Sequence, residues 1–348
     1  MIELRTSRWS TRALAVVFAL GAVVLVSARP GVAATRSGRV VMTFDLSAQD
    51  QGQDARLWVP YPVSDRNQVV RDIAVSGDYA AGGVYTDRSR ENHILYAEWP
   101  KGAASRKLTF SFAVERQEIA MRDLGGAEPA WNPADYAEYL KPTSLGPLDG
   151  EVKKLADTIT AGKTTVLEKA KAIYDWTVEN MYRDPETVGC GKGDVCVLLK
   201  KPGGKCTDIS SVYIALCRAS GVPAREIFGV RLGKKPEETI TGYQHCWAEF
   251  FLPGHGWVPA DPADVRKAML VEKLELADPK TKTYRDFFWG GIDAYRFAVA
   301  AGRDVMLNPP QAGASLNTFG YPYAEIGGKP LDWYKPDAFV YRITFQEQ

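Results

Sequence analysis

The 348-residue sequence predicts an α+β protein with an all-β sandwich followed by a domain that mixes helices and strands. Between residues 35 and 120, short apolar or alternating runs are separated by turn residues and show no helical period. From residue 151 onward, segments with helical spacing alternate with segments of strand alternation. One of these helices begins at a cysteine that follows a glycine pair. This cysteine is a candidate reactive residue, and it lies in the second domain.

The predicted strands and helices divide residues 35–348 into three segments. Residues 35–120 are expected to form the sandwich, and 121–150, rich in glycine and proline, a linker or an ordered strap. Residues 151–348 are expected to form the catalytic domain with a C-terminal β extension. Late strands such as 338–345 are expected to extend the sheet of that domain.

Residues 1–34 have the pattern of a secretory signal peptide. Three arginines precede an uncharged run at 13–28, which is too short to span a bilayer comfortably. Small residues at 32–34 then provide a cleavage site after Ala34, with an uncleaved anchor as the alternative. We therefore expect a periplasmic or secreted protein without a stable membrane span after cleavage.

The charge balance excludes one class of partner. The chain has 43 lysines and arginines against 42 acidic residues and a formal net charge of +1. A nucleic-acid-binding protein needs a basic surface, which this composition does not supply. We expect no nucleic-acid partner, and the sequence leaves the oligomeric state open.

Cys206 lies where a helix is predicted to begin. Gly203 and Gly204 free the backbone just before it, and Gly221 closes the helix. The apolar face of that helix has spacing i, i+3, i+4 and i+7, with Ile209, Val212, Tyr213 and Leu216. Unpaired N–H groups in a first helical turn favour an anion, so the position favours the reactive thiolate.

A predicted hairpin brings two further groups together. His245 and Trp247 share one face of the strand 242–252, and a three-residue loop would place Trp247 opposite Asp261. His245 then becomes the diagonal neighbour of Asp261. Thiolate, imidazole and carboxylate are the groups that nucleophilic attack on a carbonyl needs, with Asp264 as the rival acid.

Each residue of this set also has a structural interpretation. Cys206 could be a small buried apolar residue, His245 a hydrogen-bonded sheet residue, and Asp261 a turn residue before proline. Asp208 and Arg225 are expected to be a capping group and a salt-bridge partner rather than catalytic residues.

Four ordered motifs resemble the transglutaminase-like superfamily in its bacterial exported branch: 203–208 (GGKCTD), 221–225 (GVPAR), 245–249 (HCWAE) and 256–262 (GWVPADP). The resemblance covers about residues 165–268 and implies a papain-like α+β fold. By motif, the family nucleophile falls on Cys206, its base on His245 and its orienting acid on Asp261. The family's aromatic oxyanion-hole residue has no clear position here, and the candidates are Trp176, Tyr182 and Trp247.

The resemblance implies acyl transfer through a thioester and no cofactor. The function it favours is cleavage of amide bonds in a peptide or protein substrate. The alternatives are a protein-cross-linking acyltransferase and a catalytically silent peptide-binding or scaffold protein. Hydrolysis is favoured because nothing marks an amine pocket, although an aromatic cluster could build its walls: Trp247, Trp257, Phe287, Phe288 and Trp289.

Five cysteines lie within one window of the chain. There is no Cys-x-x-Cys and no His-x₃₋₅-His, so no metal site is predicted. In an oxidising compartment, an odd count leaves at least one thiol free. Cys190 and Cys196 are the best candidates for a disulfide, since the glycine-rich loop between them can curl.

Overall fold

The structure is a computed structural model and describes residues 33–87, 92–335 and 337–348. The predicted signal peptide therefore lies outside the described residues, except for its last two positions. No helix in the described part of the chain has both the length and the apolar character needed to cross a membrane.

The strands, numbered in chain order, are β1 (Thr35–Asp45), β2 (Ala55–Pro60), β3 (Gln68–Gly77), β4 (Ala81–Thr86), β5 (His93–Trp99), β6 (Lys107–Gln117), β7 (Ile119–Ala120), β8 (Tyr182–Arg183), β9 (Gly203–Gly204), β10 (Ala224–Arg231), β11 (Glu237–Thr239), β12 (Gln244–Leu252), β13 (Gly256–Ala260), β14 (Gly291–Ile292), β15 (Arg296–Ala301), β16 (Tyr323–Ile326), β17 (Lys329–Pro330) and β18 (Val340–Glu347).

The helices are a 3-10 helix (Pro133–Leu140), α1 (Gly150–Ile159), α2 (Val166–Asn180), α3 (Val195–Leu198), α4 (Cys206–Ala219), α5 (Pro262–Glu272) and α6 (Pro279–Phe288). The predicted helix after Cys206 is confirmed, and so is the α+β class.

Two five-stranded sheets contain the N-terminal strands, in the orders β11-β18-β1-β6-β3 and β17-β16-β2-β5-β4. Val40 and Phe44 of β1 alternate inward, and Leu57 of β2 and Phe110 of β6 join the same buried apolar core. The Tyr61 ring, just beyond β2, stacks on Phe110 with centroids 5.4 Å apart. The predicted β-sandwich is therefore confirmed, with β3 and β4 added to the strands that the sequence suggested.

The expectation that the late strands extend the catalytic sheet is wrong for β16, β17 and β18. β18 pairs antiparallel with β1, so that Phe345 lies beside Val40 and Ile343 beside Met42. These four side chains are buried. β18 completes the apolar face of β1 and covers its edge, which favours this pairing over an extension of the other sheet.

The four-stranded sheet that contains His245 has the order β13-β12-β10-β15, so only β15 among the late strands extends it. α4 packs against β12 and β10, and every residue from Cys206 to Cys217 is buried. The helix that begins at the cysteine is thus the central helix of this half, and its first turn lies at the start of β12.

The 121–150 segment is ordered and hydrogen-bonds both to residues 287–290 and to the start of α2. The Met121 amide donates to the Gly290 carbonyl at 2.8 Å, and the Arg122 guanidinium donates to the Phe287 carbonyl at 2.9 Å. The Glu128 carboxylate accepts from the first two amides of α2 at 2.9 and 2.8 Å. Of the two predicted interpretations, the ordered strap fits these contacts.

Candidate active site

The nucleophile candidate begins α4 directly after two glycines that admit no side chain. A Cβ on Gly203 would lie 2.3 Å from the Tyr182 ring, and one on Gly204 would lie 2.4 Å from Asp208. The Asp208 carboxylate accepts from the amides of Lys205 at 3.0 Å and Gly193 at 2.7 Å. Asp208 therefore fixes the backbone before Cys206, in agreement with its predicted structural role.

The predicted hairpin register is confirmed. Leu252 pairs with Gly256 and Ala248 with Ala260, which leaves a three-residue loop and brings His245 and Asp261 to neighbouring positions. His245 Nε2 lies 2.7 Å from Asp261 Oδ2. Because Nε2 faces the carboxylate, Nδ1 is the ring nitrogen that remains for the Cys206 sulfur.

Asp261 and its rival Asp264 occupy different places. Asp264 Oδ1 is 3.7 Å from His245 Nε2, and its carboxylate pairs with Arg231 and Arg296. Burial acts to raise the pKa of Asp264, but the charges of Arg231, His245 and Arg296 hold it well below the usual range. Asp261 is therefore the carboxylate that hydrogen-bonds the imidazole.

Arg296 holds the two carboxylates in place, and sequence reasoning missed it. Its Nη1 donates to Asp261 Oδ2 at 2.6 Å, its Nη2 donates to Asp264 Oδ2 at 2.7 Å, and it also pairs with Asp293. Its side chain is 0% exposed. No local motif marks an arginine at the start of a strand, so only the pairing of β15 with β10 could have revealed this neighbour.

Three cysteines meet at the start of α4. The sulfur atoms of Cys190, Cys206 and Cys246 lie within 4.8 Å of one another, and all three residues are buried. Hydrogen bonds from Cys190, then Cys246, and the nearby His245 imidazole hold the pKa of Cys206 well below its usual range, although burial opposes them. The site therefore stabilises a thiolate on Cys206.

The predicted Cys190–Cys196 disulfide is absent, since the five cysteines are free and Cys196 is exposed on α3. The reason is the packing of Cys190. Its Sγ lies 3.4 Å from the Gln244 carbonyl oxygen, and it accepts a hydrogen bond from the Tyr321 hydroxyl at 3.2 Å. These contacts turn Cys190 inward to Cys206.

The aromatic oxyanion-hole candidates do not line the cleft at Cys206. Trp247 is buried and packs against Ile227 and Ile292, and Trp176 packs against the core from α2. The ring of Tyr182 lies against Gly203 and is 41% exposed. The cleft is lined at this point by Gln244 instead.

Gln244 is a second group that sequence reasoning missed. It borders the same cleft as Cys206 and His245. Its buried Nε2 makes no hydrogen bond of normal geometry among the described residues, although the Gln244 side chain interacts with the Tyr341 hydroxyl and opposes the rise of its pKa. An unpaired buried amide N–H costs about 1–3 kcal/mol unless a ligand satisfies it. The sequence signal that could have identified Gln244 as a site residue is its position directly before His245.

The cleft at Cys206 has a volume of about 1300 Å³. One wall is aromatic and comes from the C-terminal segment, with Tyr321, Trp333, Tyr334, Phe339 and Tyr341. Another part is cationic, with Arg183, Lys205, Arg231 and Lys267.

Two groups of side chains could each present three ligand atoms to a metal ion. One is the cysteine cluster, and the other is His245 with Asp261 and Asp264. Both groups contain residues of the proposed catalytic set. Arg296 already neutralises the carboxylates of the second group.

The comparisons with known proteins concern the family and the fold of the chain. The family model of the Transglutaminase-like superfamily matches residues 153–262. An uncharacterised protein of Haemophilus influenzae is 39% identical over 326 residues, which are 86% of this chain and 88% of the relative. The uncharacterised protein YebA of Bacillus subtilis is 29% identical over 265 residues, 64% of this chain and 34% of YebA.

A solved structure has the same fold. It is described as a candidate cysteine protease from Cytophaga hutchinsonii, is 16% identical, and superposes with a TM-score of 0.53. The match covers 90% of this chain and 98% of that protein.

Proposed function

Because the chain belongs to the transglutaminase-like superfamily, we propose that it is an exported thiol enzyme that cleaves amide bonds of peptides or proteins. The observation that carries this proposal is the hydrogen-bonded His245–Asp261 pair beside a cysteine whose pKa is lowered, at the floor of an open cleft. Export rests on the leader pattern of residues 1–34.

The reaction follows from the positions of the three groups. The Cys206 thiolate attacks the carbonyl carbon, and the imidazolium of His245 gives its proton to the departing amine as the C–N bond breaks. The product is a thioester on Cys206. Water then loses a proton to His245 and adds to the thioester, which releases the acid and restores the thiolate.

Asp261 and Arg296 act in this scheme by positioning the imidazole. The Asp261 carboxylate fixes the ring and stabilises the imidazolium, while Arg296 fixes the carboxylate. The Cys206 backbone N–H and Gln244 Nε2 are the donors that we assign to the oxyanion. The assignment is supported because Nε2 has no hydrogen bond of normal geometry among the described residues and is free to turn toward a ligand.

Charge and packing favour hydrolysis over cross-linking to a lysine. Of the five aromatic residues that could have walled an amine pocket, only Phe288 lines the cleft. Trp257 instead lies on the Arg225 guanidinium, 4.2 Å from ring centroid to Cζ, and Trp289 stacks on Phe250. The cations beside Cys206 repel a lysine ammonium, so water is the acceptor that the cleft admits most readily.

The test uses the mature chain, a mixed library of amide-bearing peptides and a labelled primary amine at millimolar concentration. We expect acid products in excess of amine conjugates. The Cys206→Ala variant should give neither, and Cys196→Ser, which changes an exposed thiol, serves as the matched control with full activity. A dominant conjugate would establish the acyltransferase instead, and no product with any peptide would support a silent binding protein.

A further inference from the structure

Two cations on the wall of the cleft take part in none of the ion pairs found among the described residues. Arg183 and Lys267 form no ion pair and no side-chain hydrogen bond among the described residues, and Arg183 Nη1 is buried. β8 and α5, which carry Arg183 and Lys267, pack against each other. Burial, Arg231 and Arg183 lower the pKa of Lys267, while the negative charge of Asp264, beyond ion-pair distance, opposes them. The pair is therefore a concentration of positive charge that Asp264 offsets only in part.

The four carboxylates that line the cleft all have partners already. Arg231 binds Asp264, and Asp293 binds Arg296. Glu272 binds Lys280 at 2.5 Å, and Glu238 accepts from the Lys234 amide at 2.8 Å. No carboxylate that lines the cleft lies within ion-pair distance of Arg183 or Lys267 in the described part of the chain. An anion from outside the chain can therefore bind these cations without displacing an ion pair of the cleft.

The position of Arg183 relates this charge to the chemistry. β8 runs parallel to β9, and Arg183 pairs with Gly204, two residues before Cys206. The Asp184 amide donates to the Gly204 carbonyl at 3.0 Å, which fixes the strand on this register. Lys205, next to the nucleophile, lines the same part of the cleft. A substrate group held here lies close to the bond that Cys206 attacks.

We infer that Arg183 and Lys267 form a subsite for a carboxylate of the substrate, close to the scissile amide. The inference rests on the proposed function and adds a substrate class to it: peptides that carry an acidic group beside the cleaved bond. A carboxylate matches the planar guanidinium by two parallel hydrogen bonds, and Lys267 adds a point charge. The carboxylate can be the α-carboxylate of a peptide C-terminus or the side chain of aspartate or glutamate.

Binding to the inactive Cys206→Ala protein tests the subsite without turnover. The probes are three peptides of otherwise identical sequence: one with glutamate and a C-terminal amide, one with glutamine and a free C-terminus, and one with glutamine and an amide. Each carries a fluorophore for anisotropy titration. We expect one of the two acidic peptides to bind at least tenfold more tightly than the neutral one, with a difference that falls as salt rises. The peptide that gains affinity identifies the source of the carboxylate.

Two added substitutions locate the effect. Arg183→Gln and Lys267→Gln should each remove most of the preference for the acidic peptide and leave binding of the neutral peptide unchanged. Lys234→Gln, an exposed cation on the same cleft, is the matched control and should keep the preference. Equal binding of all three peptides, or a preference that survives both substitutions, overturns the subsite.

The outcomes separate the two proposals. If acidic peptides bind preferentially but the unsubstituted protein cleaves no peptide, the subsite proposal stands and the hydrolase proposal is wrong. If acidic and neutral peptides are cleaved with equal kcat/KM and also bind equally, the hydrolase proposal stands and the subsite proposal is wrong.

Discussion

Two fully buried arginines show how differently the two halves of the molecule use charge. Arg106, at the edge of the sandwich, donates to the carbonyl oxygens of Asp50 at 3.1 Å and Gln53 at 2.7 Å. Arg296, in the catalytic half, donates instead to the carboxylates of Asp261 and Asp264. Both side chains are shielded from water, yet one meets backbone dipoles and the other meets full negative charges.

The difference separates an arginine that holds a turn from one that belongs to the proposed catalytic site. Arg106 holds the carbonyl oxygens of the 50–53 turn, whose other hydrogen bonds come from backbone amides and orient no side chain. The Asp261 oxygen bound by Arg296 also accepts from His245, so this arginine sets the position of an imidazole. Substitutions at Arg106 should therefore change stability alone, whereas those around Arg296 should change catalysis as well.

The largest effect should come from the carboxylate itself. Asp261→Asn keeps the size of the side chain but removes the charge that orients His245. We expect kcat/KM to fall about 10⁴-fold, the loss known for the same change in a serine triad. Asp264→Asn is the matched control, and a fall of about tenfold is expected because it touches the imidazole only indirectly. Steady-state kinetics on both variants checks this, and equal losses would contradict the assignment.

The next effect should be confined to stability. Phe110 is buried between the Tyr61 and Phe112 rings. Phe110→Ala should lower the free energy of unfolding by about 3–5 kcal/mol because it opens a cavity in the sandwich core. Urea denaturation measures the loss, and kcat of the folded fraction should be unchanged. A fall in kcat would show that the sandwich shapes the site.

The paired arginine substitutions test the comparison itself. Arg296→Lys keeps the charge but cannot bridge two carboxylates, and we expect about 3 kcal/mol of lost stability together with a fall in kcat. Arg106→Lys should lose stability while kcat stays the same. Thermal unfolding and kinetics of both variants at one temperature give the contrast. If both variants lose kcat alike, the distinction between the two arginines fails.

The smallest effect concerns the thiol cluster. Cys190→Ala removes the first hydrogen-bond donor that lowers the pKa of Cys206. The pKa of Cys206 should rise, and activity on the acidic limb of the pH profile should fall about tenfold for every pH unit by which that pKa increases. Cys190→Ser keeps a donor and should leave the profile close to that of the unsubstituted chain. A profile that moves in neither variant would remove Cys190 from the site.

The elements that carry the site could be predicted from sequence because their signals are local. Glycines before Cys206 and the spacing of its helix predict α4, and strand alternation with a three-residue loop predicts the contact between His245 and Asp261. Each of these signals lies within about twenty residues of chain. Local periodicity and turn chemistry were therefore enough to predict α4 and the contact between His245 and Asp261.

The groups that the sequence did not reveal reach the site through long-range pairing. Arg296 arrives because β15 pairs with β10, and β18 joins β1 across almost the whole chain. The inward position of Cys190 depends on Tyr321, which lies 131 residues further along. No local pattern encodes which strand edges meet, so these neighbours required the structure.

The pH dependence of alkylation of Cys206 tests the central claim most directly, because it needs no substrate. The Cys196→Ser protein, which lacks the exposed thiol, is treated with iodoacetamide from pH 4 to 10, and peptide mass spectrometry follows each cysteine. The account predicts that Cys206 is alkylated first and at a rate that reaches its plateau well below the usual thiol pKa of about 8.5. His245→Ala should move the plateau to higher pH. Alkylation of Cys206 that rises only above pH 8, or that is slower than at Cys217 or Cys246, would contradict it.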